Sequence, residues 1–239
     1  MNTNRKTAII VGVLFIIGTV AGVLSVVVTN PILGDPDYLN IISADANPII
    51  MGVLLVLTMG FALAMVPVVI WSILKKYNQV LALGYVVFRG GLETVTYITA
   101  SISWLLLIPL SEQYATAGAL ADPYLQTMGR TLVEAAEISG TMTAIVFPLG
   151  ALMLYAVFYR SKLIPRWLTI WGLIGVALHL VFTGLAGMFT LTGSLPTIFM
   201  ALNIPILVQE MVMAVWLIVK GFNTQMDDFA RAAAQRVYA

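Results

Sequence analysis

Ionisable residues lie inside the most apolar parts of this chain. Arg89 and Glu93 stand four positions apart in "GYVVFRGGLETV", so on an α-helix they share a face and can pair. His179 and Glu210 are also placed well inside apolar segments of their own. A guanidinium, two carboxyl groups and an imidazole at one depth could bind an anion and exchange a proton. They could also perform general acid–base chemistry, with Glu93, Glu210 or His179 as the catalytic group.

Helical rise places these groups in one layer. At about 1.5 Å per residue, Arg89 and Glu210 lie roughly 15 to 16 Å from the basic end of their segments, and Glu93 and His179 roughly 20 to 22 Å. A charge at the centre of a bilayer costs at least about 2.5 kcal/mol, so these side chains are expected to face the interior of a helix bundle. Asn203 shares the face of Glu210 and is expected to join them as a ligand-binding residue.

The formal charges of this layer do not balance. One cation, Arg89, faces two carboxylates, Glu93 and Glu210. Since an unpaired buried charge is costly, either a glutamate is protonated, or His179 carries a proton, or a cation completes the site. The alternative is a buried ion pair that only fixes the register of the helices, with His179 in a structural hydrogen bond.

Composition indicates that the chain is an integral membrane protein. Its 239 residues are 60% hydrophobic and only 10% charged, with a mean hydropathy of +0.98, too apolar for a soluble domain of this size. Crossing the hydrocarbon takes about 20 apolar residues in a helix. Segments of this kind are 7–28, 48–73, 79–108, 135–158, 166–190 and 202–220. We predict an all-α polytopic protein, with one domain over 1–239, six transmembrane helices and a short cytoplasmic tail at 222–239.

Basic residues predict the orientation. All but one of those that flank the predicted spans fall on one side, which the positive-inside rule assigns to the cytoplasm together with both termini. These residues are Arg5, Lys6, Lys75, Lys76, Arg160, Lys162, Arg166, Lys220, Arg231 and Arg236. The exception is Arg130, which the prediction places outside.

A second polar stripe runs along the fourth predicted helix. It contains Arg130, Glu134, Glu137 and Thr141, and Glu137 lies roughly 33 Å from the cytoplasmic end. We interpret these residues as an outer vestibule of a cavity that opens outward and has the charged layer as its floor. A solvated helix end is the alternative reading of the two glutamates.

Several kinds of site are not indicated. The chain has no cysteine and a single histidine without an E-x-x-H partner, so we predict no metal and no cofactor. A net charge of +1 offers no field for nucleic acid. The predicted partners are the lipid bilayer and a small anionic or amphipathic ligand, and the oligomeric state is left open.

Three stretches resemble a known family. "RKTAIIVGVLFIIGTVAGVLS", "GYVVFRGGLETV" and "IPILVQEMVMAVWLIVKGFN" together are similar to the bacterial multi-pass membrane proteins of the domain of unknown function DUF4386. The resemblance extends over nearly the whole chain. It implies a bacterial inner (plasma) membrane protein and implies no activity.

Three functions fit these residues. The first is binding, or proton-coupled transport, of a small polar or amphipathic ligand, in which Arg89 holds an anionic group, Glu210 or Glu93 exchanges the proton and His179 tunes it. The second is an intramembrane enzyme that acts on a lipid or isoprenoid-like substrate by general acid–base chemistry. The third is a scaffold or partner subunit without a ligand.

Overall fold

The protein is described by a computed structural model that covers residues 3–117, 122–190 and 203–223. These residues form helices and no strands, so the predicted all-α fold is confirmed. Five helices are long and apolar enough to cross a membrane. They are Thr3–Leu33, Asn47–Leu74, Gln79–Thr116, Pro123–Ser161 and Arg166–Phe189.

Two of the long helices contain a π-helical segment. The elements in chain order are α1 (Thr3–Leu33), α2 (Tyr38–Ala44), α3 (Asn47–Leu74), α4 (Gln79–Tyr85), the first π segment (Val86–Leu92), α5 (Glu93–Thr116), α6 (Asp122–Ser161), α7 (Arg166–Leu178), the second π segment (His179–Leu185), α8 (Ala186–Phe189) and α9 (Ile204–Val219). The first π segment joins α4 to α5, and the second joins α7 to α8, without a break in either helix.

Three helices differ in length from the predicted spans. The predicted span 79–108 continues through Pro109 to Thr116, and the span 135–158 belongs to a helix that begins at Asp122. A helix can extend beyond the hydrocarbon core of the bilayer, because polar residues can also be helical. The span 202–220 corresponds to α9, which has 16 residues and is about 24 Å long, shorter than the roughly 30 Å of hydrocarbon. The predicted tail lies outside the described residues from residue 224 onward.

Close helix contacts depend on small residues in α1. A Cβ atom at Gly18 would lie 2.7 Å from the side chain of Leu63, and one at Gly22 would lie 2.5 Å from Met59. Both partners belong to α3. Small residues at this spacing allow two helices to approach closely where lipid offers no hydrophobic driving force.

Hydrogen bonds and close contacts show which helix ends lie together. Arg5 bonds to the end of α9, the Asn223 backbone amide bonds to Leu163 after α6, and α1 runs antiparallel to α3, so the start of α1 and the ends of α3, α6 and α9 lie on one side of the bundle. The core of the opposite side is formed by Ile32, Ile42, Ile49 and Leu107. There the short helix α2 buries its apolar residues against the ends of the long helices.

Arg5 joins the first helix to the last. Its guanidinium donates hydrogen bonds to the carbonyl oxygens of Leu217, Ile218 and Val219 at 3.1, 2.5 and 3.1 Å. These carbonyls end α9, where the Leu217 oxygen also accepts the backbone amide of Gly221 at 3.1 Å, and a cation interacts favourably with the negative end of the helix dipole. Gly221 follows in the left-handed region at φ 77°, where a Cβ would lie 3.0 Å from an Arg5 nitrogen.

We expect the Arg5→Gln variant to lose about 1 to 2 kcal/mol of unfolding free energy, because the carbonyls at the end of α9 lose a charged donor. Denaturant titration in detergent micelles measures the loss. Lys6→Gln is the matched control, since Lys6 is exposed one position further along the same helix. Equal effects of the two substitutions would contradict the capping role.

Candidate functional site

One guanidinium bridges two carboxylates from different helices. Arg89 Nη1 donates to both carboxylate oxygens of Glu93, at 3.0 and 3.1 Å, and Nη2 donates to Oε1 of Glu210 at 3.2 Å. The side chains of Arg89 and Glu93 are 3% and 1% exposed, whereas Glu210 is 14% exposed. The structure therefore brings three of the predicted residues into direct contact, and it holds Glu93 more firmly and more deeply than Glu210.

Local backbone geometry positions Arg89. It lies in the first π segment, where the extra residue per turn changes the direction of the side chains relative to a regular helix. The backbone of α6 passes close by, since a Cβ at Gly150 would be 3.1 Å from the backbone nitrogen of Arg89. The guanidinium is thus directed by a helix irregularity that α6 packs against.

Tyr97 completes the environment of Glu93. Its hydroxyl donates to Glu93 Oε1 at 2.7 Å, so this carboxylate accepts hydrogen bonds from Arg89 and from the phenol. Tyr97 is not among the predicted site residues, although it follows Glu93 by four residues, a helical spacing that could have identified it. These hydrogen bonds make Glu93 a fixed partner of Arg89.

Two aromatic rings flank the guanidinium. The Arg89 Cζ atom lies 4.5 Å from the ring centroid of Phe147 and 5.9 Å from that of Phe15. Cations are attracted to the faces of such rings. Phe147 also packs edge-on against His179, with centroids 5.3 Å apart. A phenyl ring therefore separates Arg89 from His179, and the predicted layer divides into two polar groups.

The second polar group contains His179, Thr183 and Asn203. His179 Nδ1 lies 2.7 Å from Oδ1 of Asn203, which also accepts a hydrogen bond from the Thr183 hydroxyl at 2.5 Å. Because this oxygen only accepts, Nδ1 carries the proton and Nε2 is left as an acceptor. His179 opens the second π segment and Thr183 lies within it, so both π segments carry residues of the predicted layer.

A buried phenol near the ion cluster has no partner. Tyr85 is 1% exposed, and among the described residues nothing hydrogen-bonds its hydroxyl. It lies on α4, one turn before Arg89. A buried hydroxyl without a partner costs free energy, so a polar group that could reach it would bind favourably there.

The predicted outer vestibule is only partly assembled. Arg130 lines a cavity of about 710 Å³ together with Asp35, Asp37 and Tyr38, at the end of the bundle opposite Arg5. Burial raises the pKa of Tyr38, and the charge of Arg130 opposes this rise. The remaining predicted residues do not line this cavity. Glu134 and Glu137 are exposed on α6, and Thr141 is half-buried there.

Among the described residues, no group of three histidine, aspartate or glutamate side chains lies together.

A family model described as Domain of unknown function (DUF4386) matches residues 10–221. This range includes Arg89, Glu93, His179 and Glu210, as well as the helices that hold them. Searches of curated proteins and of solved structures find no significant match.

Proposed function

The chain belongs to the DUF4386 family, and we propose from the geometry of its buried charges that it binds a small anionic or amphipathic ligand together with a proton. The observation that carries this proposal is the unequal hold of Arg89 on its two carboxylates. The site is then a device that exchanges one negative partner of the guanidinium for another.

Glu93 is the permanent partner in this proposal. It is held by both Nη1 contacts and by the Tyr97 hydroxyl, and it is almost fully buried. Glu210 makes a single contact at 3.2 Å and is more exposed. Protonation of Glu210 weakens its interaction with Nη2 and leaves that donor for the anionic group of a ligand.

This exchange preserves charge. In the ligand-free site, one guanidinium and two carboxylates sum to one negative charge. When Glu210 takes up a proton and an anion occupies Nη2, the sum is unchanged, so the buried site never holds a second uncompensated charge. Ligand and proton bind as a neutral pair.

The aromatic and polar neighbours give this site its ligand preference. Phe15 and Phe147 flank Arg89, and they favour a ligand with an apolar body behind its charged group. His179 packs on the far side of Phe147 and tunes the position of that ring. Transport of the bound pair across the membrane is the wider function that we propose.

The proposed setting is a bacterial inner membrane, with six spans and both termini in the cytoplasm. The contact of Arg5 with the end of α9 supports an even number of crossings between them. Lys and Arg near the same ends support their cytoplasmic assignment. The outer stripe of Arg130, Glu134, Glu137 and Thr141 is proposed as the approach for an external anion, and Asn203 as part of the ligand site.

Calorimetry tests the coupling directly. We would titrate the detergent-solubilised protein with acetate, benzoate, dimethyl phosphate and octyl sulfonate, in two buffers of different ionisation enthalpy, from about pH 5 to 8. The difference between buffers reports the protons taken up per anion. We expect about one proton per bound anion in the wild-type protein near neutral pH, and affinity that rises as the pH falls.

Glu210→Gln isolates the proton. Its amide resembles the protonated carboxyl group, so we expect anion binding without proton uptake and without pH dependence. Glu112→Gln, an exposed change on α5 outside the proposed site, is the control and should behave as wild type. The proposal fails if no probe binds, or if the wild-type protein binds an anion with no proton.

A further inference from the structure

A basic cavity lies at the end of the bundle where α6, α7 and α9 meet. It has a volume of about 640 Å³ and is lined by Lys162, Arg166 and Lys220, with no carboxylate among the described residues that line it. Arg5 lies next to it, since its guanidinium packs against Gly221. The cavity is therefore complementary to an anion.

Backbone contacts fix the shape of this cavity. The backbone amide of Asn223 donates to the carbonyl oxygen of Leu163 at 2.8 Å, which connects the chain after α9 to the turn between α6 and α7. Lys162 adopts φ 56°, a left-handed conformation that side chains other than glycine rarely take. The ammonium of Lys162 is thus presented by a constrained turn.

Aromatic rings mark the cavity as lying at the membrane surface. Trp216 lines it and packs edge-on against Trp167, with ring centroids 6.5 Å apart. Trp167 in turn lies 6.4 Å from Trp171, and the guanidinium of Arg166 lies over the ring of Tyr159 at 5.6 Å. Tryptophan and tyrosine accumulate where hydrocarbon meets headgroups.

An apolar groove continues from the basic cavity along α9. It has a volume of about 500 Å³ and shares Trp216 and Lys220 with the cavity. Its remaining walls are the apolar side chains Leu207, Val208, Met211, Val212, Val215 and Val219. From Leu207 to Lys220 the helix rises about 20 Å, which matches the length of an acyl chain. Cations at one end and an oily channel leading from them have the form of a phospholipid.

We propose that this surface is a binding site for an anionic phospholipid of the phosphatidylglycerol type. Its phosphodiester accepts hydrogen bonds from Lys162, Arg166 and Lys220, and one acyl chain lies in the groove on α9. Basic recesses between transmembrane helices recognise lipid headgroups in this way. The site is separate from Arg89 and does not depend on the proposed function.

Native mass spectrometry of the full-length protein tests this proposal. The protein in detergent is mixed with phosphatidylglycerol or with phosphatidylcholine of the same acyl chains. We expect the anionic lipid to bind at least about tenfold more tightly, and the Lys162→Gln/Arg166→Gln variant to lose about tenfold of that affinity. Lys75→Gln/Lys76→Gln is the matched control and keeps it, because these lysines do not line the cavity.

A second variant tests whether the acyl chain, and not only the headgroup, contributes to binding. Val215→Trp fills the groove on an exposed face of α9, so the fold is retained while the acyl chain loses its place. We expect weaker binding of phosphatidylglycerol and no effect of added glycerol phosphate as a competitor. Three results would each overturn the proposal. They are equal affinity for the two lipids, an equal loss of lipid affinity in Lys162→Gln/Arg166→Gln and in Lys75→Gln/Lys76→Gln, and full competition by glycerol phosphate.

Discussion

We expect the Arg89→Met variant to lose about 3 to 5 kcal/mol of unfolding free energy. Methionine keeps much of the volume but removes the only cation in contact with Glu93 and Glu210 in the described structure. Glu93 is then buried without a countercharge, and it must either unfold the site or take up a proton. Denaturant titration in micelles measures the loss.

Two further variants assign this loss to charge. Arg89→Met combined with Glu93→Leu removes the buried pair as a whole, and we expect it to recover most of the stability, because well-packed apolar residues can replace a buried ion pair. Arg130→Met is the control at an exposed position, with an expected change within about 0.5 kcal/mol. A double variant as unstable as Arg89→Met would show that packing around the guanidinium, rather than its charge, is what matters.

The second large effect is expected at Gly184 in the second π segment. A Cβ at this position would lie 2.5 Å from the carbonyl oxygen of Ala144, so Gly184→Ala must push α6 away from this segment. We expect a loss of about 1 to 3 kcal/mol of unfolding free energy in a denaturant titration, the usual range for overpacking. The shift of α6 also moves Phe147 away from His179, which changes the NMR signals of the histidine ring.

Gly91→Ala is the matched control for this prediction. Gly91 lies in the first π segment, and a Cβ there would meet nothing within 4 Å. The same chemical change should therefore be neutral, or stabilise by up to about 1 kcal/mol through helix propensity. If both variants behaved alike, the contact between α6 and the second π segment would not limit stability.

The ion cluster was accessible to sequence reasoning because a membrane leaves charges few options. Arg89 and Glu93 are four residues apart on an apolar helix, and Glu210 lies at a similar height in another. Charged groups inside the bilayer must pair with one another, because an unpaired charge there would destabilise the bundle. Their contact in the structure follows from that constraint, while their function remains a proposal.

The surroundings of the cluster were harder to foresee. Phe147 is one apolar residue among many, and only the three-dimensional packing places it between Arg89 and His179. The π segments leave no sequence rule to read, since the same residues could continue a regular α-helix. They change which side chains share a face, so spacing rules for α-helices lose accuracy at the very residues of interest.

The ends of the helices were also predicted only in part. Hydropathy identified where the apolar runs lie, but α5 and α6 continue well beyond them. The start of α6 at Asp122 agrees with a local sequence signal, since proline is favoured at the first helical position and Pro123 follows directly. For α9, hydropathy alone suggested a longer span than the 16 residues that are helical.

The bond between Arg5 and the last turn of α9 has a consequence for biogenesis. Its acceptors are synthesised 212 to 214 residues after its donor. The seam between the first and last helices can close only after translation has passed Val219. Until then Arg5 has no contact with α9, and ribosome stalling before this point would leave the bundle open between the first and last helices.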